Sequence, residues 1–191
     1  QPCLSQVAGI WASVAAKLSG GASGPYQQCG DGTVANLTTG LVWQQTDDAG
    51  GLTDKDNVYL WSANTNFPDP TDDFSCDNVG CPPDGAAFTV FLAGLNTPPC
   101  FGGHCGWRLP EIGELSVIVD CSFGSPCIDQ TAFGPTNAYA YWSATTGTYF
   151  NDNIRGAAFI YFGDGIVHPG GKGGNLFHVR AIRAGSCATT P

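Results

Sequence analysis

Gly-Trp-Arg-Leu-Pro-Glu-Ile-Gly-Glu-Leu, residues 106–115, is the stretch that best predicts how this chain folds. Pro110 is expected at the first position of a helix, where its missing N–H costs nothing. Glu111 and Glu114 then lie in the first turn, where negative charge suits the helix dipole. Apolar side chains follow at helical spacing, at Ile112, Leu115, Ile118 and Val119. The pattern predicts an amphipathic helix from Pro110 to Val119.

Outward from this helix, the sequence predicts short strands and a second helix. Residues 33–45 indicate a hairpin that turns at Thr38-Thr39-Gly40, and Ala86 to Leu95 indicate the other helix. Asp, Asn, Pro and Gly are frequent in residues 46–85, so loops are expected there. Further strands are predicted over 139–143, 157–162, 166–168 and 177–182, with a hairpin turn at Gly163-Asp164-Gly165. The prediction is an α+β fold, with two short helices around a small antiparallel sheet and long loops.

The first 25 residues differ from the rest of the chain. Pro2 to Leu18 predict a short helix with an apolar side formed by Val7, Ile10, Trp11 and Val14, and Gly20 to Pro25 end it. We therefore expect a helix and linker over residues 1–25, followed by one domain over residues 26–187. The chain begins at Gln1 and contains no Met, as expected of a mature protein whose signal peptide has been removed.

Nine cysteines predict an oxidising compartment, and hence a secreted or surface-displayed protein. Three pairs are close in sequence and are expected to form disulfides that hold the loops: Cys76 with Cys81, Cys100 with Cys105, and Cys121 with Cys127. Zinc is the competing interpretation, but none of the pairs has C-x-x-C spacing. Two of Cys3, Cys29 and Cys187 could join the termini to the domain, which leaves one cysteine unpaired.

The net charge of the chain makes some classes of binding partner unfavourable. There are 16 acidic and 7 basic residues, for a net charge of −9. Such a charge disfavours nucleic acid and anionic membranes as partners. No apolar run is long enough to span a bilayer, and 191 residues suffice for one domain with a sizeable core.

Several segments flank the helix signature in a fixed order. They are Gly30–Val34, Thr39–Gln44, Asp54–Trp61, Leu95-Asn96, Tyr141–Thr146, Phe162–Gly165 and Val179–Arg183. Together they resemble the Lcl C-terminal domain family, from about Tyr26 to Gly185. The resemblance implies a fold similar to C-type lectins and to formylglycine-generating enzymes, in a secreted or surface-displayed binding module. It implies no reaction.

A catalytic role is not expected. Formylglycine-generating enzymes need two reactive cysteines in the C-terminal half, whereas Cys121 and Cys127 lie in a Ser/Gly/Pro loop and are interpreted as a structural disulfide. No G-x-S-x-G nucleophile motif is present. The three histidines, His104, His168 and His178, are therefore interpreted as structural or surface residues. Four tryptophans are expected in the core, namely Trp43, Trp61, Trp107 and Trp142.

Two acidic loops are candidate calcium sites, because calcium prefers several oxygen ligands from such loops. The first and preferred site consists of Asp69, Asp72, Asp73 and Asp77, and the second of Asp47, Asp48, Asp54 and Asp56. Asp-rich loops are also common as plain turns. Calcium therefore remains one of two interpretations.

The ligand site is predicted in the loop over residues 147–156. The family resemblance implies that related folds present ligand-contacting loops at this position. The expected contacts are Tyr149, Asn151, Asp152, Asn153 and Arg155, with Lys172 nearby, since such side chains suit adaptable binding surfaces. The predicted function is recognition or adhesion at a bacterial surface, with an extracellular glycan or protein as ligand. The alternative is a structural subunit of a surface filament or oligomer, in which the domain packs against copies of itself.

Overall fold

The computed structural model describes residues 24–63, 82–149 and 154–187. They form an α+β fold with two small antiparallel sheets and a few short helices. The strands are β1 Tyr26–Gln28, β2 Thr33–Asn36, β3 Leu41–Gln44, β4 Ala140–Tyr149, β5 Ile154–Tyr161, β6 Ile166–Gly170 and β7 Ile182–Ala184. A π-helical segment, Ala87–Leu92, leads into α1 Ala93–Leu95, and α2 Ile112–Ser116 and α3 Gln130–Phe133 follow. Two 3-10 turns lie at Phe101–Gly103 and Cys121–Phe123.

The first sheet has the strand order β1-β2-β3-β7 and the second the order β4-β5-β6. The predicted hairpin is confirmed, with Val34 opposite Trp43 in the β2–β3 pair. Asn36 shapes its turn, because its side-chain oxygen accepts from the backbone N–H groups of Thr38 at 2.9 Å and Thr39 at 3.1 Å. Asparagine thereby supplies the bonds that a short polar turn needs.

Both sheets lie between two hydrophobic clusters. Successive side chains of a strand point to opposite faces, so Ala35 and Trp142 enter the first cluster while Val34 and Tyr141 enter the second. The strands are therefore buried on both faces, and β2 is buried at all four of its positions. The core position predicted for Trp43, Trp61, Trp107 and Trp142 is confirmed, since each is at most 3 % exposed.

The signature helix begins later than predicted. Glu111 is its N-cap, and a capping box joins Glu111 to Glu114. The Glu114 carboxylate accepts from the Glu111 backbone N–H at 2.8 Å and pairs with both guanidinium N–H groups of Arg108 at 2.7 Å. Pro110 lies outside the helix, where its carbonyl accepts from the Ala144 N–H at 2.7 Å. The prediction that Pro110 is the first helical residue is therefore wrong, because the capping box sets the start of the helix.

Three disulfides are present in the described part of the chain. The predicted pairs Cys100–Cys105 and Cys121–Cys127 are confirmed. The third joins Cys29 to Cys187 across 158 positions of sequence, linking the end of β1 to the segment after β7. Cys3, Cys76 and Cys81 lie outside the described residues. The three bonds indicate an oxidising environment outside the cytosol.

The closing segment is less regular than predicted. Only Ile182–Ala184 forms a strand of a sheet, whereas Phe177 makes an isolated bridge with Tyr59 and His178 makes another with Tyr141. The segment passes from the second sheet to the first, so its successive residues pair with different partners. The sequence analysis also missed β1 and α3. No helix in the described ranges is long and apolar enough to cross a membrane.

Candidate functional site

A row of partly exposed rings lies on one face of the second sheet. We call it the aromatic shelf and define it by four rings, those of Tyr139, Phe159, Tyr161 and His168, together with the neighbouring side chain of Ile166. Tyr139 is 47 % exposed and Ile166 is 52 % exposed. Both residues have neighbours that pack against the first hydrophobic cluster. The rings of Tyr139 and Tyr161 lie edge to face at 5.8 Å, and those of Phe159 and His168 stack at 5.5 Å.

The register of β5 and β6 places these side chains together. Phe159 is opposite His168, and Tyr161 is opposite Ile166. Since side chains alternate along a strand, Phe159 and Tyr161 point to the same face. The tight turn between the strands fixes this pairing, as the Gly165 N–H bonds to the Tyr161 carbonyl at 2.8 Å. The predicted turn at Gly163–Gly165 is thus confirmed, and it holds the shelf in register.

A buried floor supports the shelf. The Phe177 ring lies 4.6 Å from the Phe159 ring and 4.4 Å from the Trp142 ring. The Trp142 indole N–H donates to the Tyr59 carbonyl at 3.0 Å, which fixes the ring in the core. These contacts restrain the shelf rings before any ligand binds. Binding to them therefore costs little ordering of side chains.

Glycine permits the packing of the Tyr161 ring. A Cβ at Gly163 would clash with the Tyr161 ring, so any larger residue there would force this ring to shift. A Cβ at Gly170 would approach the Phe159 ring within 3.0 Å and the Trp142 ring within 3.1 Å. The rings of Phe159 and Trp142 therefore lie directly against the backbone of β6.

Polar groups border the Tyr139 end of the shelf. The Asn137 amide donates to the Lys55 carbonyl at 3.1 Å and to an Asp56 carboxylate oxygen at 2.9 Å. His178 lies edge to face with Tyr139 at 6.0 Å, and its Nδ1 is 2.8 Å from the Asn57 carbonyl. Because a carbonyl only accepts, Nδ1 must carry the proton. Burial lowers the pKa of His178, so the ring is held in its neutral form.

We call residues 47–57 the acidic loop, and its carboxylates are partly satisfied within the loop itself. The Lys55 ammonium lies 3.1 Å from Asp48 and 2.8 Å from Asp56. These partners raise the pKa of Lys55 to about 12. Asp54 accepts from the backbone N–H groups of Gly50 at 2.6 Å and Asp56 at 2.8 Å, and these bonds lower its pKa. Asp54 and Lys55 are therefore both charged at neutral pH, and their bonds restrain the loop.

The acidic loop gathers three carboxylates that calcium could share. Oxygen atoms of Asp48, Asp54 and Asp56 all lie within 4.8 Å of one another. Lys55 already supplies a positive charge there, and a cation would have to compete with its ammonium group. Beneath the loop, a cavity of about 10 Å³ borders Asn57, Tyr141 and His178, which is room for a single water molecule.

Most of the sequence-predicted site residues lie outside the described residues. These are Asn151, Asp152 and Asn153 of the ligand loop and the four aspartates Asp69, Asp72, Asp73 and Asp77. The backbones of Tyr149 and Arg155 belong to β4 and β5, at the far end of the hairpin, where Thr148 pairs with Arg155. Arg155 and Tyr161 are six positions apart along β5, or about 20 Å. The predicted ligand loop and the aromatic shelf are therefore separate places.

Lys172, predicted as a ligand contact, is packed against the core. It is 6 % exposed, and its ammonium lies 4.5 Å from the centre of the Trp61 ring. Its carbonyl accepts from the Ser62 N–H at 3.0 Å. A ligand would reach the Lys172 ammonium only after displacing it from Trp61. Its role in binding stays a prediction.

The sequence analysis missed the shelf, although part of its signal was present. Phe159 and Tyr161 alternate in β5, and Ile166 and His168 alternate in β6, on either side of a predicted turn. That alternation alone could have placed four side chains on one face. Tyr139 could not be added in this way, because it precedes β4 and reaches Tyr161 only through the folded chain.

The comparisons with known proteins yield one family. The family model described as the Lcl C-terminal domain matches residues 32–183, which is most of the chain. No curated protein and no solved structure gives a significant match.

Proposed function

The chain belongs to the Lcl C-terminal domain family, and we propose that it is a secreted or surface-displayed bacterial recognition module. It binds an extracellular glycan, with the aromatic shelf as the contact surface. The proposal includes a C-type-lectin-like arrangement, in which a small sheet with disulfide-held loops presents the site. One observation carries it: Tyr139 and Ile166 are about half exposed on a row of rings whose floor is fully packed.

The chemistry of the shelf suits a sugar ring. Aromatic faces are flat and apolar, and they pack against the C–H face of a sugar as they do against other apolar groups. The acidic loop lies beside Tyr139 through Asn137 and His178, and its carboxylates accept hydrogen bonds from hydroxyl groups. Flat rings beside acceptors are what a neutral polyhydroxylated ligand requires.

The negative charge of the protein favours some classes of glycan over others as the ligand. The protein carries −9, and the acidic loop adds local carboxylates at the border of the shelf. A sulfated or uronic-acid-rich polymer would be repelled, since like charges at an interface weaken binding. Neutral or amino-sugar glycans are therefore the proposed class, and an amino group could also interact with the ring faces.

We assign binding rather than catalysis to this site. His178 is the nearest imidazole to the acidic loop, and its Nδ1 is engaged by Asn57. His168 stacks on Phe159, and its ring is part of the apolar surface. Neither is placed to activate a hydroxyl nucleophile in the way that a general base must be.

The experiment is a glycan array with the purified protein, with and without calcium, followed by titration of the best neutral ligand. Tyr139→Ala is the decisive substitution, because this side chain is the most exposed ring of the shelf. We expect a loss of about 2 kcal/mol, or roughly 30-fold in Kd, if Tyr139 is a central contact. The matched control is Val90→Ala, which removes another half-exposed apolar side chain on the π-helical segment.

A second variant separates the two candidate sites. Tyr149→Ala with Arg155→Ala alters the far end of the β4–β5 hairpin and leaves the shelf unchanged. Should this double variant lose binding while Tyr139→Ala retains it, the ligand site is the predicted loop and the shelf assignment is wrong. Binding only to sulfated glycans, or only to a protein, would overturn the proposed ligand class.

The filament alternative is favoured by one observation. Ile166 and Val167 of β6 are both about half exposed, and among the described residues β6 pairs only with β5. An apolar strand at a sheet edge can pair with a second copy, although Pro169 within β6 removes one donor. Light scattering over a concentration series tests this alternative, and a monomer at every concentration would exclude it.

A further inference from the structure

A groove of mixed apolar and acidic lining lies where the described part of the chain begins. It has a volume of about 200 Å³ and is lined by Pro25, Tyr26, Val117 and Phe123 among others, and the Tyr26 hydroxyl donates to the Val117 carbonyl at 3.4 Å. Phe123 is 54 % exposed and Val117 is 47 % exposed. The floor is Phe133, whose ring meets the Tyr26 ring edge to face at 4.7 Å. Val117 and Phe123 are therefore accessible to an apolar side chain of another segment.

The groove also carries negatively charged side chains. Asp120 lies at its rim, where it accepts from the Ser122 N–H at 2.9 Å. Burial raises the pKa of Tyr26, and the Asp120 and Asp129 carboxylates raise it further. A complementary occupant would be an apolar segment that carries a positive charge.

The 23 residues before Gly24 have this character. Gly24 and Pro25 line the groove, so the preceding chain starts at its rim. The apolar stripe Val7, Ile10, Trp11 and Val14 has the spacing of one helix face, and Lys17 is the one charged side chain in residues 1–23. Ser19 to Ser23 form a spacer of small residues that spans at most about 17 Å.

We propose that residues 7–14 dock in this groove of their own domain, with Trp11 against Phe123 and Val117, and with Lys17 towards Asp120. Docking within the same chain is favoured over docking in a second copy because the spacer is short. A short flexible linker gives an effective concentration in the millimolar range. At lower protein concentrations the attached segment therefore occupies the groove before a neighbouring chain can.

Hydrogen–deuterium exchange of the full chain tests the proposal. A helix of about 17 residues is marginal when isolated in water, so protection of amides 7–14 requires docking. We expect these amides to exchange at least tenfold more slowly than an unstructured chain does. Phe123→Ser should abolish this protection while the amides of β2 and β3 keep theirs. Trp11→Ala should act in the same way, and Trp11→Phe should retain most of the protection.

Val90→Ser is the matched control, because Val90 is an exposed apolar residue of the π-helical segment and does not line the groove. It should leave the exchange of residues 7–14 unchanged. Exchange at the unstructured rate in the unaltered chain would overturn the proposal. So would protection that survives Phe123→Ser, since the segment would then dock elsewhere. Protection that rises with protein concentration together with a dimer in light scattering would assign the groove to a second copy instead.

Discussion

The disulfide between Cys29 and Cys187 should contribute more to stability than the other two described disulfides. In the chain-entropy model, a cross-link stabilises the fold by restricting the unfolded chain, and the effect grows with the length of the closed loop. The two cysteines are 158 positions apart, so replacing both with serine should lower the free energy of unfolding by about 5 kcal/mol. Single domains have about 5–15 kcal/mol in total. The double variant should therefore be marginal or unfolded at body temperature.

The matched control is the double serine variant of Cys100 and Cys105. This pair closes a loop with a separation of only 5, for which the same model gives about 2 kcal/mol. Both variants remove one disulfide and add two hydroxyl groups. The difference between them, about 3 kcal/mol, therefore reports loop length rather than the chemistry of the substitution.

Urea unfolding without reductant measures both variants, followed by tryptophan fluorescence and by far-ultraviolet circular dichroism. Coincident curves from the two probes establish that the transition is two-state. The slope with urea should rise in the Cys29/Cys187 variant, because its unfolded chain is less restricted and exposes more surface. If removing the long-range bond costs no more than removing the short one, the entropic reasoning is wrong. The stabilisation would then come from contacts in the folded state.

Three further predictions follow from single side chains. Arg180 is fully buried and donates to two carbonyls and two threonine hydroxyls at 2.8–3.0 Å. Arg180→Met should therefore lower the free energy of unfolding, measured in urea, by about 3 kcal/mol. A loss below about 1 kcal/mol would contradict this. Burial lowers the pKa of His178, so the unfolded chain binds its proton first as the pH falls, and stability should decline below about pH 6.5. His178→Gln should flatten that decline, and an unchanged profile in thermal unfolding at several pH values would refute it. Gly163→Ala should displace the Tyr161 ring, at a cost of about 1–3 kcal/mol in stability. It should also weaken glycan binding relative to Gly113→Ala, a change at a helical glycine with no neighbouring atoms within contact distance.

The sequence predicted the elements whose signals are local. The β2–β3 hairpin follows from its polar turn, and the Cys100–Cys105 and Cys121–Cys127 bonds follow from short spacing. The start of the signature helix was missed by two residues, because a proline and a glutamate both suit its first turn. Only the folded chain shows that Glu111 and Glu114 form the capping box.

The candidate site was largely beyond the sequence, for a physical reason. The ring of Tyr139 meets those of Tyr161 and Phe177, which are 22 and 38 positions away along the chain. The first contact depends on the β4–β5 register, which places Ala140 opposite Tyr161, and the second on the course of the closing segment, and no periodic pattern encodes either of them. Lys172 illustrates the converse. A lysine among glycines suggests an exposed loop, but cation–π packing on Trp61 holds it in the core.

The bond between Cys29 and Cys187 also decides how the domain responds to a pulling force. Tension applied to chain on either side of this pair passes through two sulfur atoms and bypasses β2 to β7, and of the strands only β1, which precedes Cys29, lies on the loaded path. The chain between them, 158 positions long, would otherwise lengthen by roughly 550 Å on extension. In a single-molecule stretching experiment, this domain should thus behave as a short inextensible link until a reductant is added. If the domain has the recognition function proposed above, this bond would let it hold a ligand under flow without unravelling.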